Sequence, residues 1–201
     1  MTHSFCFATC TNGLSNTAPG ADESAVLDVG GFSCDEGNGL TKTSDVRNDP
    51  IMISPTGFQT SGPKTAAVLI MHGIEANQYM RVFRQANSIM LNGEPFPAAR
   101  ISVGQEYTSQ YCRLEAMDVF STTEFVLVVV TANGTSLRMY KNGIQLGSES
   151  CSYTPVANSE PFTLSEFGGY GFMGTIKSFA MWDRALSDAE VAGLDATNLT
   201  C

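Results

Sequence analysis

Histidine is nearly absent from the 201-residue chain, where His3 and His72 are the only two. That scarcity leaves little material for acid–base triads or histidine-held metals. No C-x-x-C pair, Gly-x-Ser-x-Gly elbow, phosphate loop or dinucleotide fingerprint occurs, which removes the commonest sequence marks of redox, hydrolase and nucleotide chemistry. Charge is sparse at 15%, and 11 basic residues face 20 acidic ones, for a net charge of -9. Such a field repels phosphate backbones and anionic headgroups, so nucleic-acid, heparin-like and membrane-surface partners are not expected. Long apolar runs are missing too. The longest, 66–71 and 125–130, fall far short of the roughly 20 residues that cross a bilayer, and no membrane insertion is expected.

What is present suits one globular unit. The chain is 43% hydrophobic, and at roughly 150 residues per domain its length allows one domain with a short appendage. Six cysteines, Cys6, Cys10, Cys34, Cys112, Cys151 and Cys201, read as disulfide partners in an oxidising compartment. Small buried thiols are the competing reading. Six cysteines allow 15 pairings, so the connectivity stays open. The sequons at Asn133 and Asn198 agree with secretion. No basic cluster and apolar stretch follow Met1. Two readings remain for that: a leader already removed, or a chain assembled inside a cell and released later, as in a virion component.

Residues 1–24, rich in Thr, Asn, Ser and Gly without apolar period, predict an irregular arm, and 25–201 the folded domain. A first strand is expected at 25–29 and a long polar loop at 30–49. Short β-branched, aromatic or Met-rich stretches follow at 51–54, 66–72, 79–84, 88–91, 100–103 and 112–117, each bounded by Gly, Pro, Asn or Ser. Their spacing of about ten residues favours an all-β sandwich or barrel over a βαβ repeat. Residues 125–131 are continuously apolar, as a central strand requires, and end at Asn133-Gly134, a tight-turn dipeptide. In 136–141 the sequence alternates, with Leu137 and Met139 on one face and Arg138 and Tyr140 on the other. Asn142-Gly143 then turns the chain into 144–146. A long loop is expected at 147–161, a short strand at 162–164, and a final strand at 172–182. There a one-residue bulge near Lys177 and Ser178 would bring Ile176, Phe179 and Met181 to one face. Ser187 and Glu190 form a capping box, and Leu186 against Val191 a staple, for one helix over 188–194.

Two blocks, SLRMYKNGIQLG at 136–147 and FMGTIKSFAMWDRALSDAEVAGL at 172–194, resemble the concanavalin A-like, laminin-G-like jelly-roll family. The resemblance implies an all-β fold of two face-to-face antiparallel sheets in an extracellular or surface-exposed protein that binds glycans or proteins, accompanies an enzyme, or builds a surface structure. It also implies a close backbone crossing at Gly174 and a capped helix, with Arg184 and Leu186, plugging the end of the sandwich. Where the family often carries an acidic pair after Gly-x-Ile, this chain has Lys177 and Ser178.

Glycosidases on this sandwich alternate carboxylates along one strand. Glu115 and Asp118 are three apart, which sends them to opposite faces, so no catalytic residue is expected. His72 closes an apolar strand and reads as a core-edge histidine. No metal ligand set is assigned; calcium, if held, would draw on Asp22, Asp28 and Asp45, although a solvated acidic loop is the simpler explanation of them. Aromatic rings on loops suit the apolar face of a sugar. Tyr107, Tyr111, Tyr153, Phe167 and Tyr170, with Gln105, Asn158 and Glu166 as polar companions, are the candidate glycan-binding residues. Each is individually also a loop anchor. The expected function is non-catalytic carbohydrate recognition of a glycan or glycoprotein. The alternatives are a structural subunit that assembles with copies of itself and, weaker, a glycan-cleaving enzyme.

Overall fold

A computed structural model describes residues 3–6, 27–28, 32–35, 39–42, 51–53, 62–73, 79–85, 88–94, 96–104, 111–153, 162–165 and 171–194; at 3–6, 27–28, 34–35 and 51–53 only the backbone is described. Among these residues the chain forms fifteen strands and one helix. They are β1 (His3–Cys6), β2 (Leu27–Asp28), β3 (Ser33–Asp35), β4 (Gly39–Lys42), β5 (Ile51–Ile53), β6 (Lys64–His72), β7 (Met80–Gln85) and β8 (Ile89–Gly93). There follow β9 (Ala99–Gly104), β10 (Tyr111–Ala116), β11 (Val126–Ala132), β12 (Ser136–Lys141), β13 (Ile144–Ser150), β14 (Phe162–Leu164), β15 (Gly174–Trp182) and α1 (Asp188–Ala192).

The strands make the two antiparallel sheets that the sequence predicts. One runs β13-β12-β11-β6-β15-β4-β3, with β1 also on β15; the other runs β10-β9-β8-β7-β14-β5-β2. Strand β11 is buried along its whole length because it lies between β6 and β12 and is covered on both faces. Val126, Val128 and Val130 enter the core between the sheets, where Phe83, Phe162 and Phe179 pack ring against ring, while Leu127 and Val129 face the opposite way. The β15 register slips between Ile176 and Ser178, and Ile176, Phe179 and Met181 all reach the core, as the bulge expectation requires. Leu137 and Met139 likewise point in, and Arg138 and Tyr140 out, where both bond Asp188.

Gly174 sits at φ +139, and a Cβ there would collide with the Met71 carbonyl oxygen and lie 2.9 Å from the Gly73 nitrogen. Ser187 caps α1 through the expected capping box with Glu190. The helix does not plug the end of the sandwich. Val191 and Leu186 pack with Leu69, Leu127, Tyr140 and Trp182, so α1 lies on the outer face of the β6–β11–β15 sheet.

Three further expectations are corrected. The arm 1–24 contains strand β1, paired with β15 from His3↔Met181 to Cys6↔Ser178. The loop 30–49 contains the β3–β4 hairpin, and β4 also pairs with β15. Both segments are polar, and a neighbouring strand supplies the hydrogen-bonding partner that their own apolar pattern does not announce. Strand β13 runs to Ser150, past the expected loop start, because pairing with β12 holds a strand that buries almost nothing.

A disulfide joins Cys112 on β10 to Cys151 just after β13, closing one lateral seam between the sheets. Cys6 and Cys34 lie on strands whose side chains are not described, and Cys10 and Cys201 lie outside the described residues.

Candidate functional site

Alternation along β7–β10 sorts side chains between core and solvent. Phe83, Leu91, Ile101 and Leu114 form one inward row, and Ile89, Val103 and Cys112 another. The outward positions form two cross-strand rows: Arg81, Asn92, Arg100 and Glu115, then Thr163, Arg84, Met90, Ser102 and Arg113. Arg81 and Arg84 are three apart and still share a face because the register shifts between Arg81 and Phe83. Four of the chain's seven arginines therefore lie on one sheet face of a protein with net charge -9.

Beside the second row a shallow cleft of about 10 Å³, room for about one water, opens where β7 turns into β8 and β10 begins, bordered by Arg84, Ser88, Met90, Ser102, Gly104 and Tyr111. The Tyr111 hydroxyl donates to Ser102 Oγ at 2.7 Å. The Gly104 N–H donates to the Ser88 carbonyl at 2.9 Å and holds the rim. From the opposite sheet, Lys64 on β6 donates through Nζ to Ser88 Oγ at 2.6 Å. Burial of that ammonium pushes its pKa down to about 8. At the other end of the face, Tyr79 is 50% exposed and lies beneath the Arg100 guanidinium, 5.7 Å from ring centroid to Cζ. Arg100 also pairs with Glu94 at 2.9 Å, and Arg113 pairs with Glu115. The exposed Tyr79 ring and the neighbouring guanidinium groups suit a polar ligand with one apolar side, whereas Ser88 and Ser102 are buried.

Of the predicted glycan contacts, Tyr111 lies in this cleft. Tyr153 is 5% exposed within the core cluster beside the Cys112–Cys151 bridge, so no ligand stacks on it. Gln105, Tyr107, Asn158, Glu166, Phe167 and Tyr170 lie outside the described residues, as do Asp22, Asp45 and Asn198; Asp28 is on β2, side chain not described. Among the described residues no three His, Cys, Asp or Glu side chains cluster for a metal. The place of the family's acidic pair does not suit a cation either: Lys177 Nζ sits 5.2 Å from the Phe125 ring centroid and Ser178 is buried. Glu115 points outward to Arg113, and Asp118 lies past the end of β10 at φ 56. His72 is buried against Phe96, Phe120 and Phe172, with Nδ1 2.7 Å from the Gly73 carbonyl, and burial lowers its pKa. Asn133 sits at the exposed tip of the β11–β12 hairpin, its Oδ1 accepting from the Thr135 and Ser136 N–H groups.

The arginines, Tyr79, Ser88 and Ser102 are what the search for loop aromatics missed. Their signal is the recurrence of arginine at polar positions of otherwise apolar strands, and it becomes a site only once register aligns them.

Residues 60–192 match the concanavalin A-like lectin/glucanases superfamily. The chain belongs to this superfamily. No curated protein matches its sequence. Among solved structures, the binding domain of Paraclostridial Mosquitocidal Protein 1 superposes with a TM-score of 0.77 at 13% identity, covering 96% of this chain and 51% of that one. The botulinum neurotoxin serotype D ligand binding domain in complex with N-acetylneuraminic acid gives 0.68 at 13% identity, covering 94% and 49%. The Ruminococcus gnavus IT-sialidase CBM40 bound to alpha2,3 sialyllactose gives 0.60 at 11% identity, covering 77% and 100%. The chain spans about half the length of the toxin domains. At these identities the shared property is the lectin-like fold.

Proposed function

We propose that this superfamily member is a non-catalytic, extracellular carbohydrate-recognition module that takes a glycan or glycoprotein on the outer face of the β7–β10 sheet. The observation that carries the reading is the exposed Tyr79 ring beneath Arg100 on an outer sheet face that also carries Arg81, Arg84, Arg113 and, at its other end, Tyr111. Similar folds bound to sialyllactose and to N-acetylneuraminic acid support it. Glu94 and Glu115, the carboxylates at this face among the described residues, are each paired to an arginine, which suits holding a sugar more than cleaving one. Asn133, at an exposed hairpin tip, is the glycosylation site on this reading.

A glycan array tests the reading. Binding that disappears in Tyr111→Ala and Tyr79→Ala and survives in Ile144→Ala, a control exposed elsewhere, is the expected result. A second reading, a self-assembling structural subunit, draws on Ile144 and Met117, which are 71% and 67% exposed. A blank array together with concentration-dependent assembly would favour it.

A further inference from the structure

We infer that His72 is an acid-sensitive latch: its neutral ring holds the β8–β9 turn and the 117–121 segment against β6, and its protonated ring releases them. His72 ends β6 and is 3% exposed. Three rings enclose it: Phe96 on the β8–β9 turn, Phe120, and Phe172 ahead of β15, with centroids 5.1, 5.6 and 6.0 Å away. Phe96 and Phe120 flank strands of the opposite sheet, so the box closes one end of the sandwich. Backbone bonds join these parts. The Val119 and Phe120 N–H groups donate to the Pro97 carbonyl at 2.9 and 3.2 Å, and the His72 N–H donates to the Ser121 carbonyl at 2.8 Å.

The two ring nitrogens are unequally provided for. A carbonyl only accepts, so the 2.7 Å contact with Gly73 places the proton on Nδ1 and leaves Nε2 as an acceptor. Nε2 is buried and has no partner. In the neutral ring that costs one unmade hydrogen bond, whereas the protonated ring would bury a charge and a second N–H with nothing to receive it. A cation–π contact returns only part of the desolvation of an unpaired ion. Around the box, among the described residues, the charged or titratable side chains are Glu94 paired with Arg100, Tyr79 before β7, Asp118 and Glu124 beside the Phe120 segment, and Lys42 on β4 opposite Gly174; 171–176 carries none. None of them bonds the imidazole. Water is the acceptor an imidazolium needs. Phe96, 39% exposed against 4% and 0% for Phe120 and Phe172, is the wall that can swing aside without unfolding the sandwich. Closed, the ring takes a proton only below its ordinary 6.5, because burial opposes the charge and only the Gly73 bond favours it. Open, it takes one near 6.5, so closure is complete at neutral pH and weakens as the pH falls through and below that value.

Glu94 begins the turn and pairs with Arg100, whose guanidinium covers Tyr79, so opening reaches the proposed glycan face. That consequence rests on the carbohydrate reading, whereas the latch stands on His72 alone. Nuclear magnetic resonance of the full chain, with amide hydrogen exchange, tests it. Between about pH 7.5 and about pH 5 the protection of the Val119 and Phe120 amides, corrected for the intrinsic exchange rate, should fall at least about threefold, and that of Val128 and Val129 on β11 should fall less. The His72 imidazole should titrate below 6.5. Folded His72→Phe and His72→Gln should lose the pH dependence at Val119 and Phe120, which a fall caused by His3 or by a carboxylate would keep. Equal protection at both pH values, an imidazole titrating at or above 6.5, or a fall that persists in both folded variants would overturn the inference. The two wild-type measurements decide the matter should neither variant fold. None of these readouts needs a sugar, so a blank glycan array bears on the carbohydrate reading alone.

Discussion

Lys64 reaches from β6 across the interior of the sandwich and places Nζ 2.6 Å from the hydroxyl of Ser88, on the rim of the cleft in the opposite sheet. The contact ties the two sheets together at the candidate site. It also holds a cation where water does not reach it, since Lys64 is 5% exposed.

That burial has a signature in pH. The Lys64 ammonium falls from 10.5 to about 8, so on raising the pH the folded chain loses this proton before the unfolded chain does. Below 8 both states hold it and the penalty of burying charge is fully present; between about 8 and 10.5 the unfolded state binds more protons and stability rises with pH. The gain is at most about 3 kcal/mol, each pKa unit being worth about 1.4 kcal/mol. Urea unfolding of wild type and Lys64→Met at about pH 7 and about pH 10 isolates this group from the tyrosines that titrate nearby. Wild type should gain relative to the variant at the higher pH, and a difference that does not change would show the ammonium to be solvated.

The Cys112–Cys151 bridge spans 39 residues and joins β10 to the end of β13. Loop closure over that length removes unfolded-chain entropy worth about 4 kcal/mol in the ideal case, and measured losses run about 2–4. The double variant Cys112→Ser/Cys151→Ser should lose that much stability in chemical denaturation. Non-reducing peptide mapping should recover the two cysteines in one cross-linked fragment.

Much of the fold was legible because its signals are local. Asn133-Gly134 and Asn142-Gly143 announce two turns of the β11–β12–β13 meander, the broken phase of Ile176, Phe179 and Met181 announces the bulge, and Ser187 with Glu190 announces the helix. Strands β1 and β4 were not legible because their order comes from β15, far along the chain, and β3 in turn pairs with β4. The site was hidden for the same kind of reason. Without knowledge of the shift between Arg81 and Phe83, Arg81 and Arg84 read as opposite faces, and no single sequence states that Ser102 faces Arg113 and Met90. Tyr153 reads as a loop ring by its neighbours in sequence, yet the adjacent disulfide carries it into the core.

Gly174 should tolerate no side chain. Its φ of +139 disfavours L-residues, and a Cβ would strike backbone atoms of Met71 and Gly73, which pairing with β15 prevents from moving apart. Gly174→Ala should cost about 3 kcal/mol or more, strain and collision acting together. Gly134→Ala offers the comparison, since its φ is +91 but nothing lies within 4 Å of the added carbon; about 1–2 kcal/mol is expected there. Equal losses would mean that backbone conformation alone decides, and that the strand crossing is looser than it looks.

Tyr111 and Ser102 should behave as one unit. Their 2.7 Å bond joins adjacent strands at the cleft, with Ser102 Oγ as the acceptor. In a double-mutant cycle, Tyr111→Phe and Ser102→Ala should each cost about 1 kcal/mol of stability, while the pair together should cost less than the sum by a similar amount. Ligand affinity separates the partners further. Ser102 is 2% exposed, so Ser102→Ala should change affinity less than Tyr111→Ala does. Strict additivity in stability would mean that the two side chains do not act as one unit, and a larger affinity loss in Ser102→Ala would mean that the ligand reaches the serine.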